Sequence, residues 1–361
     1  MEKTNTRIAG FDLARAYAIL GMLIVNFNVV FGNLNDPSWL AAFMRLFNGN
    51  SSTVFVMLAG MGVAFMTGRL GYSPEEKKKL RSTVLKRATF LFVSGMLLFL
   101  WWPADILHFY AIYMEVAALV LFVPSRYYLW LAAAAVVVFH ALILAIPFET
   151  GWNFSTYAYA DFWTVSGFLR NTFYNGWNAA FPWLAFFFVG MWLGRLDWKD
   201  AALKRTLFWY AIAVFVLVEA VQLLAVADVF PAAVNEYLAA DYLPPFLPFQ
   251  LSTISFGILV LLVCFWLGER FVHQRWLQVL SATGQMTLTH YVSHTTLGMV
   301  VFAILTNVST DDLLARNVEV APIWILLFSI GYFTLSVALS AWWSSRFKNG
   351  PLEALMRWVT R

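Results

Sequence analysis

The residues best suited to chemistry in this chain are ionisable or amide side chains set inside long apolar runs. Thr287, His290 and His294 recur at i, i+3 and i+7, which puts them on one face of a helix. Two His four residues apart can hold zinc, as in HExxH arrangements, but HYVSH lacks the Glu and offers no third ligand. Their other chemistry is proton transfer, because an imidazole titrates near neutrality. Neutral rings packed and hydrogen-bonded in a bundle are the plain alternative. Glu115 is expected near the middle of an apolar helix, roughly 15 Å from its outer end. His108 lies seven residues earlier on the same face. An intramembrane carboxyl is costly, so it marks either a function or a structural ion pair. Asn26 and Asn28 lie along the first apolar run, where a buried Asn commonly bonds a neighbouring helix. Asp12 and Arg15, one turn apart at the start of that run, read either as a snorkelling interfacial pair or as a polar mouth for a cytosolic substrate.

These side chains need a scaffold that tolerates almost no charge. The 361 residues are 61% hydrophobic and 12% charged, with a mean hydropathy of +0.69. A soluble domain carries about 25% charged residues, so too little polar surface is left to face water. A membrane span needs about 20 mostly apolar residues. Ten stretches qualify, near 11–32, 50–70, 84–102, 106–124, 128–147, 177–195, 206–228, 249–268, 281–305 and 322–344. The expected fold is all-α: a polytopic membrane helical bundle of about ten transmembrane helices, forming one transmembrane domain over residues 1–361. The connection at 103–105 is so short that the third and fourth spans should form a tight antiparallel hairpin. Trp39, Trp101, Trp102, Trp163, Trp177 and Trp343 fall at span ends, where amphipathic rings sit at headgroup depth.

Charge placement orients the bundle. Of 24 Lys and Arg residues, only Arg45, Arg170 and Arg316 fall on one side; the rest, from Lys3 and Arg7 to Arg361, fall on the other. That asymmetry predicts N and C termini in the cytoplasm. It also explains the net charge of +4 without any nucleic acid. The opposite side leans acidic through Asp36, Glu149, Asp161, Asp311 and Asp312. Its two longest loops, 148–176 and 229–248, are rich in Tyr, Asn, Trp and Pro, a composition suited to a lid over a polar acceptor. Lys3 and Arg7 resemble the start of a signal peptide. Asp12 and Arg15 interrupt the run that follows, however, so the first span is expected to be retained. Cys264 stands alone, which leaves no disulfide framework and no Cys-based metal site.

Four segments, in order, carry a family resemblance. RIAGFDLARAYAILGMLIVNF (7–27), WPADILHFYAIYM (102–114), GQMTLTHYVSHTTLG (284–298) and RFKNGPLEALMR (346–357) together resemble YeiB-type membrane proteins. Those proteins group by fold similarity with transmembrane acyltransferases, among them heparan-alpha-glucosaminide N-acetyltransferase. The resemblance implies acyl-CoA as a cytosolic co-substrate, with no metal. It implies an acceptor, glycan or lipid-linked, on the outer side of a bacterial cytoplasmic (inner) membrane. It further implies that Asn26 corresponds to the Asn near the end of that enzyme's first span, and His294 to a His in its YVGH segment. Asp36, in NDPSW, falls about where the enzyme's catalytic loop His lies, and Ala16 follows Arg15 where the family usually has Gly.

The leading expectation is therefore a membrane-bound acyltransferase. Transfer to a hydroxyl or amine needs a general base. His294 is the first choice, with Asn26 as the donor to an oxyanion or thioester carbonyl. Glu115 and His290 would tune that base, His108 lies in the same outer half, and Asp36 is the replacement base. CoA phosphates would meet Arg15, Arg69, Lys86 and Arg87 at the cytoplasmic face, beside Asp12, although topology alone explains those cations. A proton-coupled transporter or exporter with an intramembrane Glu/His relay is the alternative. A structural partner in an envelope assembly ranks third. The expected partners are the lipid bilayer, acyl-CoA and the outer-side acceptor, and a homo-oligomer is left open.

Overall fold

Apolar runs become helices here because inside a bilayer each backbone N–H and C=O must be satisfied within its own segment. The computed structural model describes residues 8–69, 71–239, 241–309 and 318–360. Lys3, Arg7, Asp311, Asp312, Arg316 and Arg361, used above to orient the chain, lie outside those residues. In chain order the helices are α1 (Ala9–Phe31), α2 (Trp39–Arg45), α3 (Asn50–Met66), α4 (Pro74–Phe99), α5 (Leu107–Leu119), α6 (Arg126–Ala145), α7 (Val165–Arg170), α8 (Ala180–Leu193), α9 (Ala201–Val226), α10 (Ala232–Leu238), α11 (Leu247–Arg270), α12 (Arg275–Gly284), α13 (Thr287–Ser293), α14 (Met299–Thr306), α15 (Pro322–Ser344) and α16 (Pro351–Val359).

Among the described residues, 8 helices are long and apolar enough to cross a membrane, and Val165–Asn175 with Ala180–Leu193 pass the same test together, bent by 44°. The chain is a multi-pass, all-α membrane protein. Each expected stretch lands on helix, with three departures. The fourth is only 13 residues, Leu107–Leu119, about 20 Å long against a hydrocarbon core of about 30 Å. The sixth is the bent pair. The ninth is broken near its N-terminal end: α12 stops at Gly284, and a new helix starts at Thr287.

Two compact units interleave along the sequence. One gathers Met1–Phe55, Lys204–Ile212 and Ser255–Leu355; the other gathers Val56–Leu203, Ala213–Ile254 and Met356–Arg361. In the first, α1 packs against α12, α13 and α15. In the second, α4 lies along α5 as the expected hairpin, and α8 packs on both α6 and α5.

Both units expose apolar groups and bury polar ones. Asp12, Asp105, His108, Asn175, His290 and His294 are buried, while Leu97, Trp130 and Leu144 are exposed. Lipid tails are as apolar as Leu, so an apolar side chain gains little by turning inward, and polar groups bond between helices instead. Some buried hydroxyls are met by the carbonyl one turn back, as with Thr67 on Val63 (2.9 Å) and Ser329 on Ile325 (2.8 Å).

Local chemistry sets the helix ends. Ser73 and Glu76 form a reciprocal capping box at the start of α4, with Pro74 in its first turn. Arg195 donates to the carbonyls of Thr67 (2.6 Å) and Leu121 (3.2 Å), and Arg81 to that of Ala118 (2.9 Å). These cations therefore close C-terminal helix ends, where carbonyls lack partners and the dipole favours positive charge. The loop after α6 holds a short hairpin pairing Trp152 with Tyr159. Asn175 pins that loop by donating to the carbonyls of Phe148 (2.7 Å) and Thr150 (2.8 Å).

Candidate functional site

The α4–α5 hairpin places Asp105 just ahead of α5, three residues before His108. At that spacing a carboxylate at a helix start reaches the backbone amide three positions on. Asp105 Oδ2 accepts from the His108 N–H at 3.0 Å and lies 3.0 Å from His108 Nδ1. Both side chains are 0% exposed. A carboxylate facing Nδ1 keeps the proton on that nitrogen, so the lone pair sits on Nε2. Nε2 has no hydrogen-bond partner among the described residues. The close approach depends on Gly95 of α4: a Cβ there would lie 2.3 Å from His108 N and 2.6 Å from Asp105 Oδ2. Phe99, Phe109 and Phe162 line the imidazole, with ring centroids 5.6, 3.9 and 6.3 Å away. Phe162 comes from the loop between α6 and α7 and stacks on Phe99 at 3.7 Å. The result is a base oriented by a carboxylate inside an apolar box.

In the first unit, the break after α12 lets α13 start afresh, with His290 in its first turn and His294 directly after its end. His294 Nδ1 donates to the His290 carbonyl at 3.1 Å, and Nε2 accepts from Asn26 Nδ2 at 2.9 Å. His290 Nε2 pairs instead with Ser340 Oγ of α15 at 2.7 Å. The two imidazoles thus turn to different helices and form no two-His clamp. Among the described residues, no three His, Cys, Asp or Glu side chains gather as a metal site would need. His294 opens a π-helical stretch, His294–Gly298. For His294 to act as a base, Asn26 must first release its lone pair. The start of α13 is itself capped from the tail. Glu353 Oε1 accepts from the N–H groups of Leu288 (2.8 Å) and Thr289 (3.1 Å), and Oε2 from Thr289 Oγ1 (2.6 Å).

The other expected residues are placed as follows. Glu115 is half-buried on α5, in the same unit as His108, whose ring turns to Asp105. Asp36 lies between α1 and α2, where Oδ1 accepts from Ser38 N at 2.8 Å. Hydrogen bonds from the Ser38 hydroxyl and amide, aided by the Arg45 charge, hold its carboxyl below the usual carboxylate range. A carboxylate so stabilised is a weak base. Asp12 accepts from Gln285 Nε2 at 3.2 Å at the α12–α13 break, with Arg15 3.8 Å from its other oxygen. Arg69 pairs with Glu76. Arg87 Nη1 donates to Met66 Sδ at 2.9 Å, while its buried Nε has no hydrogen-bond partner among the described residues. Lys86 is exposed on α4. Arg15 belongs to the first unit; Arg69, Lys86 and Arg87 belong to the second.

Asp105, Gln285, Ser340 and Glu353 are not among the residues singled out from sequence. Only Asp105 left a local signal, an Asp three residues before a His where a helix begins. Comparison with known proteins supports the resemblance read from the four segments. Residues 7–225 match the family described as heparan-alpha-glucosaminide N-acetyltransferase, catalytic, and residues 188–361 match the family described as protein of unknown function (DUF418). Asn26, Asp36, Asp105, His108 and Glu115 fall within the first match; His290, His294 and Glu353 fall within the second. No curated protein matches the chain.

Proposed function

The chain belongs to the heparan-alpha-glucosaminide N-acetyltransferase catalytic family, a family of membrane acyltransferases, and on that premise we propose that it transfers an acyl group from acyl-CoA to an acceptor. The donor binds from the cytosol. The acceptor is a glycan or lipid-linked hydroxyl or amine on the outer side of a bacterial cytoplasmic membrane, with both chain termini inside. The observation that carries this reading is the buried Asp105–His108 pair with its unused Nε2.

The base is His108. Its Nε2 takes the proton from the acceptor O–H or N–H as that heteroatom attacks the thioester carbon. The tetrahedral intermediate collapses, the C–S bond breaks, and the proton passes from the imidazolium to the leaving CoA thiolate. Asp105 holds Nδ1–H throughout and stabilises the imidazolium while it exists. Asn26 belongs to the first unit and is assigned no part in this step. Asp36, already stabilised as an anion, is not assigned the base.

One observation favours the transporter reading. Transporters bind substrate where helices are interrupted, and this chain has a 44° bend before Ala180 as well as the break after Gly284.

The test uses protein purified in detergent, melted with acetyl-CoA, longer acyl-CoAs or free CoA. Ligand at a hundredfold excess over its Kd adds about 2.7 kcal/mol. The expected result is a CoA-specific stabilisation retained by His108→Ala, with acceptor-dependent CoA release reduced by roughly 10²–10⁴ in that variant. Absence of any CoA effect on folded protein, together with proton-coupled solute movement in vesicles, would establish the transporter instead.

A further inference from the structure

Breaking a span leaves a helix start whose N–H groups have no carbonyl one turn back. At Met286, ahead of α13, no side chain of the same segment caps that start. Acceptors come from Glu353, which takes the N–H groups of Leu288 and Thr289 and the Thr289 hydroxyl. Thr289 Oγ1 in turn accepts from Leu352 N at 3.1 Å, so the tail and the turn are bonded in both directions. Trp343 Nε1 donates to the Asn349 carbonyl at 2.8 Å, tying the tail to the end of α15. Gly350 leaves room for the carboxylate: a Cβ there would lie 2.2 Å from Glu353 Oε2 and 2.9 Å from Met286 Cγ.

The turn fixed this way leads directly to the imidazole. His290 N–H bonds Met286 O at 3.0 Å. The His290 carbonyl then accepts from His294 Nδ1 at 3.1 Å, and His294 Nε2 accepts from Asn26 at 2.9 Å. Every link lies within the first unit. The carboxylate also faces the positive end of the helix dipole, which favours its charge there.

We propose that Glu353 is a positioning residue: it holds the first turn of α13 so that the His290 carbonyl selects the Nδ1–H form of His294 and aims its Nε2 at the Asn26 amide. This goes beyond the acyl-transfer reading, which gives His294 no step, and does not depend on it.

The chain contains five His, so ¹⁵N-histidine labelling of the full-length protein gives few ring signals. The His294 pair is identified as the one missing from His294→Ala. In the wild type it should show a protonated Nδ1 and a bare Nε2. Glu353→Ala should lose that single-form signature while the His108, His140 and His273 signals stay in place. Glu353→Gln, whose amide oxygen still accepts the two N–H groups, should keep it. If Glu353→Ala does not fold, Gly350→Ala, which displaces the carboxylate without removing it, should show the same loss. His294 signals at wild-type positions in folded Glu353→Ala or Gly350→Ala would overturn the proposal, whatever the melting temperature does. A wild type that never releases CoA would sink the acyltransferase reading and leave this readout intact.

Discussion

The Asp105–His108 contact has an energy that can be isolated. In Asp105→Ala two buried donors lose their acceptor, the His108 N–H and Nδ1–H, each held at 3.0 Å. A buried donor left unsatisfied costs about 1–3 kcal/mol, so this variant should lose about 2–6 kcal/mol. In His108→Ala the backbone N–H keeps its bond to the carboxylate and only the imidazole contact goes. The double variant loses both. Because the backbone bond is absent from Asp105→Ala and from the double variant alike, it cancels from a double-mutant cycle. What remains is the side-chain pair, and a hydrogen bond to a charged acceptor contributes about 1.5–3 kcal/mol. The assay is equilibrium unfolding of the four proteins in mixed micelles of one composition, titrated with a denaturing detergent. A fully buried pair escapes most ionic screening, so added salt should change the coupling little. Additivity within about 0.5 kcal/mol would show that the contact fixes no tautomer, and the assignment of His108 as base would fall with it.

Three further outcomes are expected. Asn26→Ala leaves the buried His294 Nε2 without its donor and should lower stability by about 1–3 kcal/mol, read from a thermal melt; no change would mean the two side chains do not bond. Gly95→Ala places a methyl against the dyad and should cost about 1–3 kcal/mol by overpacking, with loss of CoA release as the second readout. Asp36 titrates below its ordinary range, so its contribution to stability is present above that range and is lost as pH falls through the folded value. Ser38→Ala should raise its pKa toward the ordinary one in a carboxyl NMR titration, and an unmoved titration would contradict the role given to the Ser38 hydroxyl.

What could be read from sequence followed the range of the forces involved. Span positions depend on local composition, which is why all ten stretches land on helix. The unusual burial of Asp12, His108, His290 and His294 was legible for the same reason, since each interrupts an apolar run. Their partners were not. Helical spacing suggested that His108 shares a face with Glu115, but Asp105 can reach both the N–H and the ring of His108 from just outside the helix, and it has the nearer acceptor. An Asp three residues before a His at a helix start is a local signal of capping, but in a three-residue gap it reads equally well as part of a connector. Asn26 and His294 stand 268 positions apart, and no pattern along one chain relates them. The break at Gln285 and Met286 is equally non-local, because its stability depends on Asp12 and Glu353 contacting it from other segments.

The distance along the chain between Glu353 and the turn it closes has a consequence for assembly. Thr289 precedes its cap by 64 residues, so the ribosome completes α13 before the carboxylate that closes it exists. At about 5–20 residues per second the delay is on the order of several seconds. During that interval the segment carrying His290 and His294 enters the membrane with an open first turn. The local order around His294 is therefore a late event of biogenesis, completed after the preceding spans have left the ribosome.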